Sequence, residues 1–122
     1  MIIKLTICFI LVFITGCTTH TDYPVKTKQA IRGYYDCVEK KSLDAVKNNL
    51  SKFDTVATVK EICKNKKAAV IEEIKEVSTS EKALYEYSYS LDSSEDFNIE
   101  KAYFRSLCNL WDSNATKPDE CD

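Results

Sequence analysis

The sequence predicts an all-α protein, a small helical hairpin or bundle of three to four helices that is stapled by two disulfides. Apolar residues recur every three or four positions through most of the chain beyond residue 26, as they do in amphipathic helices. Four cysteines share this region, and an even number of cysteines in a small exported domain is typical of a disulfide framework. Residues 83–91 alternate as a strand does, but no second strand pattern exists to pair with them.

The first predicted helix extends from about Thr27 to Leu50. Its apolar stripe consists of Ile31, Tyr34 or Tyr35, Val38, Ala45, Val46, Leu50 and Phe53. Ser42 follows two lysines and is a residue type that caps helix starts. The segment is therefore predicted as one kinked helix or two short ones.

The second predicted helix extends from Thr55 to about Val77, with Asp54 as its N-cap. Its apolar stripe consists of Val56, Val59, Cys63, Val70, Ile74 and Val77. Lysine and glutamate side chains occupy most of the remaining positions, which predicts a solvated outer face.

The pairing of the cysteines is predicted from the hairpin that these two helices form, with its turn around residues 49–54. Cys37 and Cys63 lie on either side of the turn, and at ~1.5 Å per residue their heights along the bundle differ by only ~4 to 5 Å. The preferred pairing is therefore Cys37–Cys63, with Cys108–Cys121 pinning the C-terminal tail. A bridge from Cys37 to Cys108 across the bundle stays open as an alternative.

A third helix is predicted to start at Ser78, which forms a capping box with Glu81. The tyrosine-rich alternation of residues 83–91 favours a strand, whereas the missing partner strand favours a helix, and the helix is preferred. Polar residues 92–96 are predicted as a connector, followed by a last helix from about Asp96 to Trp111.

The N-terminus has the arrangement of a signal peptide: Lys4, an apolar run over residues 5–14, and then small residues. Ile14-Thr15-Gly16-Cys17 resembles the lipobox of bacterial lipoprotein precursors. The resemblance implies that Cys17 becomes the new N-terminus, with a diacylglycerol on its thiol and an acyl chain such as palmitate on its amine. Thr18 stands where an Asp holds enterobacterial lipoproteins at the inner membrane, which implies the outer membrane, facing the periplasm. An ordinary secreted protein cut near Cys17 is the alternative.

The resulting organisation has four parts. Residues 1–16 are the signal peptide, 17–26 a lipid-anchored spacer, 27–112 the helical domain and 113–122 an irregular C-terminal tail. The part beyond the signal is long enough for one small domain.

The composition argues against several functions. The chain has 17 basic and 19 acidic residues, so it lacks the basic excess of a nucleic-acid-binding surface. There is no Cys-x-x-Cys pair for zinc, no glycine-rich phosphate loop and no nucleophile elbow. The single histidine, His20, lies in the spacer, where nothing orients it as a base. No catalytic residue, metal or cofactor is therefore predicted.

The functional hypotheses start from the aromatic side chains. Tyr85, Tyr87 and Tyr89 are predicted to contact a protein partner, because tyrosine is enriched at interface hot spots, although half-buried core residues are the competing interpretation. The first hypothesis is a non-catalytic lipoprotein of inhibitor, immunity or exclusion type. The second is a pilotin-like assembly accessory of the envelope. The third is a secreted eukaryotic disulfide-rich protein, for which the sequon at Asn114 would carry a glycan.

Overall fold

The computed structural model describes residues 23–111 and 116–121, and three long α-helices account for most of them. The helices are α1 (Val25–Lys47), α2 (Lys52–Val77) and α3 (Glu81–Asn109), followed by a short 3-10 helix, η1 (Asp119–Cys121). Each long helix packs against both of the others, and no strand occurs in the described ranges. The all-α prediction is confirmed, with three helices in the bundle.

The turn between α1 and α2 is set by backbone chemistry. Asn49 adopts a left-handed conformation with φ of 59°, which asparagine tolerates better than most residues. Ser51 then caps α2, because its hydroxyl accepts the Asp54 N–H at 3.1 Å. The prediction of Asp54 as the N-cap is wrong; Asp54 lies within the first turn, where its charge complements the helix dipole.

The start of the third helix also lies slightly C-terminal to its predicted position. Ser78 ends α2, and its hydroxyl donates to the Ile74 carbonyl at 2.6 Å. Ser80 caps α3 by accepting the Ala83 N–H at 3.1 Å. The predicted capping box at Ser78 and Glu81 is therefore wrong, although a helix does start next to it.

The third helix is continuous through the segment predicted as a polar connector. Its buried residues recur every three or four positions through the segment predicted as a connector and beyond it: Leu91, Glu95, Ile99, Ala102 and Ser106. The hydroxyls of Ser93 and Ser94 donate to main-chain carbonyls of the preceding turn, so these serines are accommodated inside the helix. The connector over 92–96 and the separate last helix are therefore wrong. The preference for helix over residues 83–91 is confirmed.

The core lies where the apolar stripes of the three helices meet. It contains Tyr34, Val38, Val59, Cys63, Val70, Ile74, Leu91, Ile99 and Ala102. Ser42 is fully buried within α1, which continues past it to Lys47 as a single helix, so its predicted role as a second cap is wrong. Phe53, predicted on the stripe of the first helix, belongs to α2 and is 81% exposed.

Two disulfides staple the bundle. Cys37 and Cys63 join α1 to α2 with their Cα atoms 6.0 Å apart, and Cys108 and Cys121 join the end of α3 to η1 with a Cα separation of 5.5 Å. This is the preferred pairing, and the alternative bridge from Cys37 to Cys108 is not the one formed. The first bridge fixes the register of the α1–α2 hairpin.

The up-down-up order of the helices gives the bundle two distinct ends. The N-terminal end holds the start of α1, the end of α2 and the start of α3, and Lys26 Nζ contacts Glu73 Oε1 there at 3.3 Å. The far end holds the α1–α2 turn, the end of α3 and its bridge to η1. Cys17 and His20 precede the described residues, and Asn114 falls in the gap between the two described ranges.

Candidate functional site

The structure separates the three tyrosines predicted to bind a partner. Tyr85 and Tyr89 are 69% and 63% exposed, and their rings stack with centroids 6.2 Å apart, since residues four positions apart share a helix face. Tyr87 lies on a different side of α3 and packs against the core. Burial raises the pKa of Tyr87, with smaller contributions from Tyr23 and Tyr35 nearby. Only two of the three predicted residues therefore form an accessible surface.

The accessible pair belongs to a surface that we call the tyrosine face, formed by Lys82, Tyr85 and Tyr89. These residues recur at spacings of three and four along the first three turns of α3, so they lie on one flank at the N-terminal end of the bundle. Lys82 is well exposed, and its Nζ lies 3.9 Å from Glu86 Oε1. The tyrosine face thus combines two amphipathic rings with a solvated cation.

A second surface, which we call the far-end cleft, lies between the start of α2 and the second half of α3. It has a volume of about 270 Å³ and is lined by Lys52, Phe53, Val56, Ala57, Lys60, Asp96 and Glu100. The lysines and the apolar lining residues belong to α2, and the carboxylates belong to α3. Phe53 is the most exposed large apolar side chain of the described chain.

Sequence reasoning missed the far-end cleft because Phe53 was assigned to the wrong helix. The signal that locates it is the cap at Ser51: once α2 starts at Lys52, Phe53 occupies the first turn of α2. From there it falls outside the buried stripe that Thr55, Val59 and Cys63 continue.

Behind the cleft, a buried carboxylate connects all three helices. Glu95 of α3 is 7% exposed, and its Oε2 accepts a hydrogen bond from the Tyr34 hydroxyl of α1 at 3.0 Å. Lys67 Nζ of α2 lies 3.2 Å from the same oxygen, and Lys60 Nζ lies 3.9 Å from Oε1. Burial, followed by the hydrogen bond to Glu95, raises the pKa of Tyr34, so the phenol stays protonated and donates.

The two lysines each bridge Glu95 to a second carboxylate. Lys67 also contacts Asp92, and Lys60 Nζ lies 2.9 Å from Asp96 Oδ1. Burial lowers the pKa of Lys67, but its hydrogen bonds to Asp92 and Glu95 outweigh this effect, and the net shift is upward. For Lys60 the hydrogen bond to Asp96 is the largest cause of a raised pKa. These ion pairs neutralise the charges that α2 and α3 bring together, so their role is structural.

The described residues contain no group of three His, Cys, Asp or Glu side chains arranged to hold a metal ion. All four cysteines of the helical domain and tail are used in the two bridges. Cys17, the predicted lipidation site, lies outside the described residues. No helix within residues 23–111 or 116–121 has both the length and the hydropathy needed to cross a membrane.

Comparison of the chain with protein-family models, with curated proteins and with solved structures finds no match.

Proposed function

We propose that this protein is a small lipid-anchored protein of the bacterial cell envelope that acts by binding another protein, without catalysis, in the manner of inhibitor, immunity or exclusion proteins. The lipobox-like residues Ile14 to Cys17 support the anchor. Two disulfides support export, since such bridges persist in oxidising compartments such as the periplasm. We place the anchor in the outer membrane, facing the periplasm, because Thr18 follows the cysteine.

The anchor gives the first testable consequence. Each buried methylene contributes about 0.8 kcal/mol, so two or more acyl chains hold a protein stably where one holds it marginally. We expect the wild-type chain in the membrane fraction, with an intact mass equal to residues 17–122 plus the lipid. Cys17→Ser is expected to abolish the lipid and leave the chain out of the membrane fraction. A wild-type chain that carries an unmodified Cys17 would contradict the proposal.

The observation that carries the binding function is the exposure of Phe53 at the far-end cleft. Because Phe53 is 81% exposed, its ring contributes little to folding, whereas covering a phenylalanine with a partner is worth about 1.5 to 3 kcal/mol. The residue lies on a rigid helix whose start is fixed by the Ser51 cap, so little conformational entropy opposes docking. An apolar partner side chain flanked by polar groups fits the cleft and its charged walls.

The binding surface is tested by site-specific photocrosslinking in living cells. We expect p-benzoylphenylalanine in place of Phe53 to give one discrete protein adduct. The matched control is the same substitution at Phe97, which is 61% exposed but does not line the cleft. A second chain carries p-benzoylphenylalanine in place of Ala57, which lines the same cleft. Adding Phe53→Ala to this chain is expected to reduce the yield of the adduct. Equal labelling at positions 53 and 97, or none at 53, would exclude the cleft as the binding surface.

The tyrosine face lies at the opposite end of the bundle, next to the segment that leads to the anchor. The hypothesis that Tyr85, Tyr87 and Tyr89 contact a protein stays a prediction.

A further inference from the structure

The chain between the anchor and the bundle is short. Cys17 lies only a few residues before Tyr23, the first described residue. Even when fully extended, at about 3.3 to 3.6 Å per residue, the chain between them spans only about 20 Å. α1 begins immediately afterwards at Val25. A lipid on Cys17 therefore keeps the N-terminal end of the bundle within about 20 Å of the headgroups.

The tyrosine face lies at this same end. At 1.5 Å per residue, Tyr85 and Tyr89 lie only about 6 and 12 Å along α3 from its first residue, Glu81. The start of α3 and the start of α1 lie at the same end because α2 runs between them in the opposite direction. The exposed phenylalanine of the far-end cleft lies at the other end.

The chemistry of the tyrosine face fits a phospholipid headgroup layer. Tyrosine is enriched where hydrocarbon meets water, since its ring is apolar and its hydroxyl remains hydrated. Lys82 adds a flexible cation whose stem covers apolar surface, and its exposed contact with Glu86 at 3.9 Å is a weak surface pair that it can exchange for lipid phosphate. A stacked pair of exposed tyrosines contributes little to folding, so contact with lipid gives these residues a role that the fold itself does not.

We propose that the tyrosine face rests on the headgroup layer of the membrane that holds the anchor, with the far-end cleft at the end of the bundle most distant from the anchor. The occupant is a lipid surface, chosen over a protein because the short tether confines this end of the bundle to the membrane. The inference rests on the proposed lipid anchor, and it does not depend on which protein binds the cleft.

The test uses the lipidated mature chain in nanodiscs of phosphatidylethanolamine and phosphatidylglycerol that contain a small fraction of gadolinium-chelate lipid. We expect stronger paramagnetic broadening of the backbone amides of residues 82–89 than of residues 70–77 of α2, which lie at the same end of the bundle and are held near the membrane by the same tether. The double variant Tyr85→Ala, Tyr89→Ala is expected to lose this difference while keeping its helical circular dichroism, since both side chains are exposed. Phe97→Ala, also at an exposed aromatic residue, is expected to keep it.

Each other outcome overturns the proposal in a recognisable way. Equal broadening of residues 82–89 and 70–77, or a difference that survives the double variant, shows that the tyrosine face does not dock on lipid. A photocrosslinker at position 85 or 89 that labels a protein in cells, and not lipid, shows that a protein partner covers this face. A wild-type chain without lipid on Cys17 overturns the anchor as well, whereas a lipidated chain that moves freely on its tether overturns the docking of the tyrosine face alone.

Discussion

Replacing Cys37 and Cys63 together by alanine is expected to lower the free energy of unfolding by about 3 to 4 kcal/mol. The bridge joins residues 26 apart in sequence, and opening a loop of this size restores about 3.5 kcal/mol of chain entropy to the unfolded state. Cys63 is also buried in the core, so its replacement removes packing contacts as well. Denaturant unfolding without reductant measures the difference, with the m-value fitted separately for wild type and variant because the unfolded chain expands when the bridge is absent.

The second bridge provides the control. Cys108 and Cys121 tie α3 to η1, and none of the described tail residues belongs to the buried core. Without this bridge the conformational entropy of the tail rises in the folded state as well as in the unfolded state. The two increases therefore largely cancel in the free energy of unfolding. We expect the Cys108→Ala, Cys121→Ala variant to lose no more than about 1 kcal/mol, which is close to the average loss for a single point substitution. Equal losses for the two double variants would contradict the proposed role of the first bridge.

The first bridge was predictable because helix geometry leaves little freedom once a hairpin turn is located. Cys37 and Cys63 lie at similar heights on antiparallel helices, and both fall on or beside the apolar stripes. Periodicity and rise per residue are local properties that a sequence displays directly. The existence of the first two helices and the preference for the bridge between them therefore followed from the sequence, whereas the choice against Cys37–Cys108 came from the structure.

The helix starts were predicted less well because several residues nearby are competent caps. Ser51 and Asp54 are both residue types that cap helix starts, and so are Ser78 and Ser80, but the capping hydrogen bonds are accepted by Ser51 and Ser80. The choice at α2 depends on where the preceding helix ends, and that is set by the left-handed Asn49. The error in the predicted start of α2 placed Phe53 on the buried stripe of the first helix instead of on the surface. The far-end cleft was therefore not predicted.

The connector predicted over residues 92–96 was wrong for a long-range reason. A run of polar side chains is typical of a loop when its partners are unknown. In the folded chain Asp92, Glu95 and Asp96 are paired with Lys60 and Lys67 of α2, which are distant in sequence. Lys60 and Asp96 also line the far-end cleft, so the same pairs that keep α3 continuous shape the proposed binding surface.

Glu95→Ala is expected to lower the free energy of unfolding by about 2 to 4 kcal/mol, within the range for breaking a buried, hydrogen-bonded charge pair. The substitution leaves the Tyr34 hydroxyl, which is 1% exposed, without its acceptor. It also leaves Lys67 with Asp92 as its remaining carboxylate partner in this network. Thermal unfolding of a domain of this size converts each 1 kcal/mol into a shift of about 4 to 8 °C, which makes the loss measurable.

One further variant distinguishes the contribution of the hydrogen bond to Tyr34 from that of the carboxylate charge, and a second variant is a control. Glu95→Gln keeps an acceptor for Tyr34 and removes the charge that faces Lys67, so we expect a smaller loss of about 1 to 2 kcal/mol. Glu86→Ala, an exposed glutamate of the same helix, is expected to stay within about 0.5 kcal/mol of wild type. If Glu95→Ala behaved like Glu86→Ala, the network would not join the three helices. If instead Glu95→Ala lowered both the free energy of unfolding and the photocrosslinking yield at position 53, the network would stabilise both the bundle and its cleft.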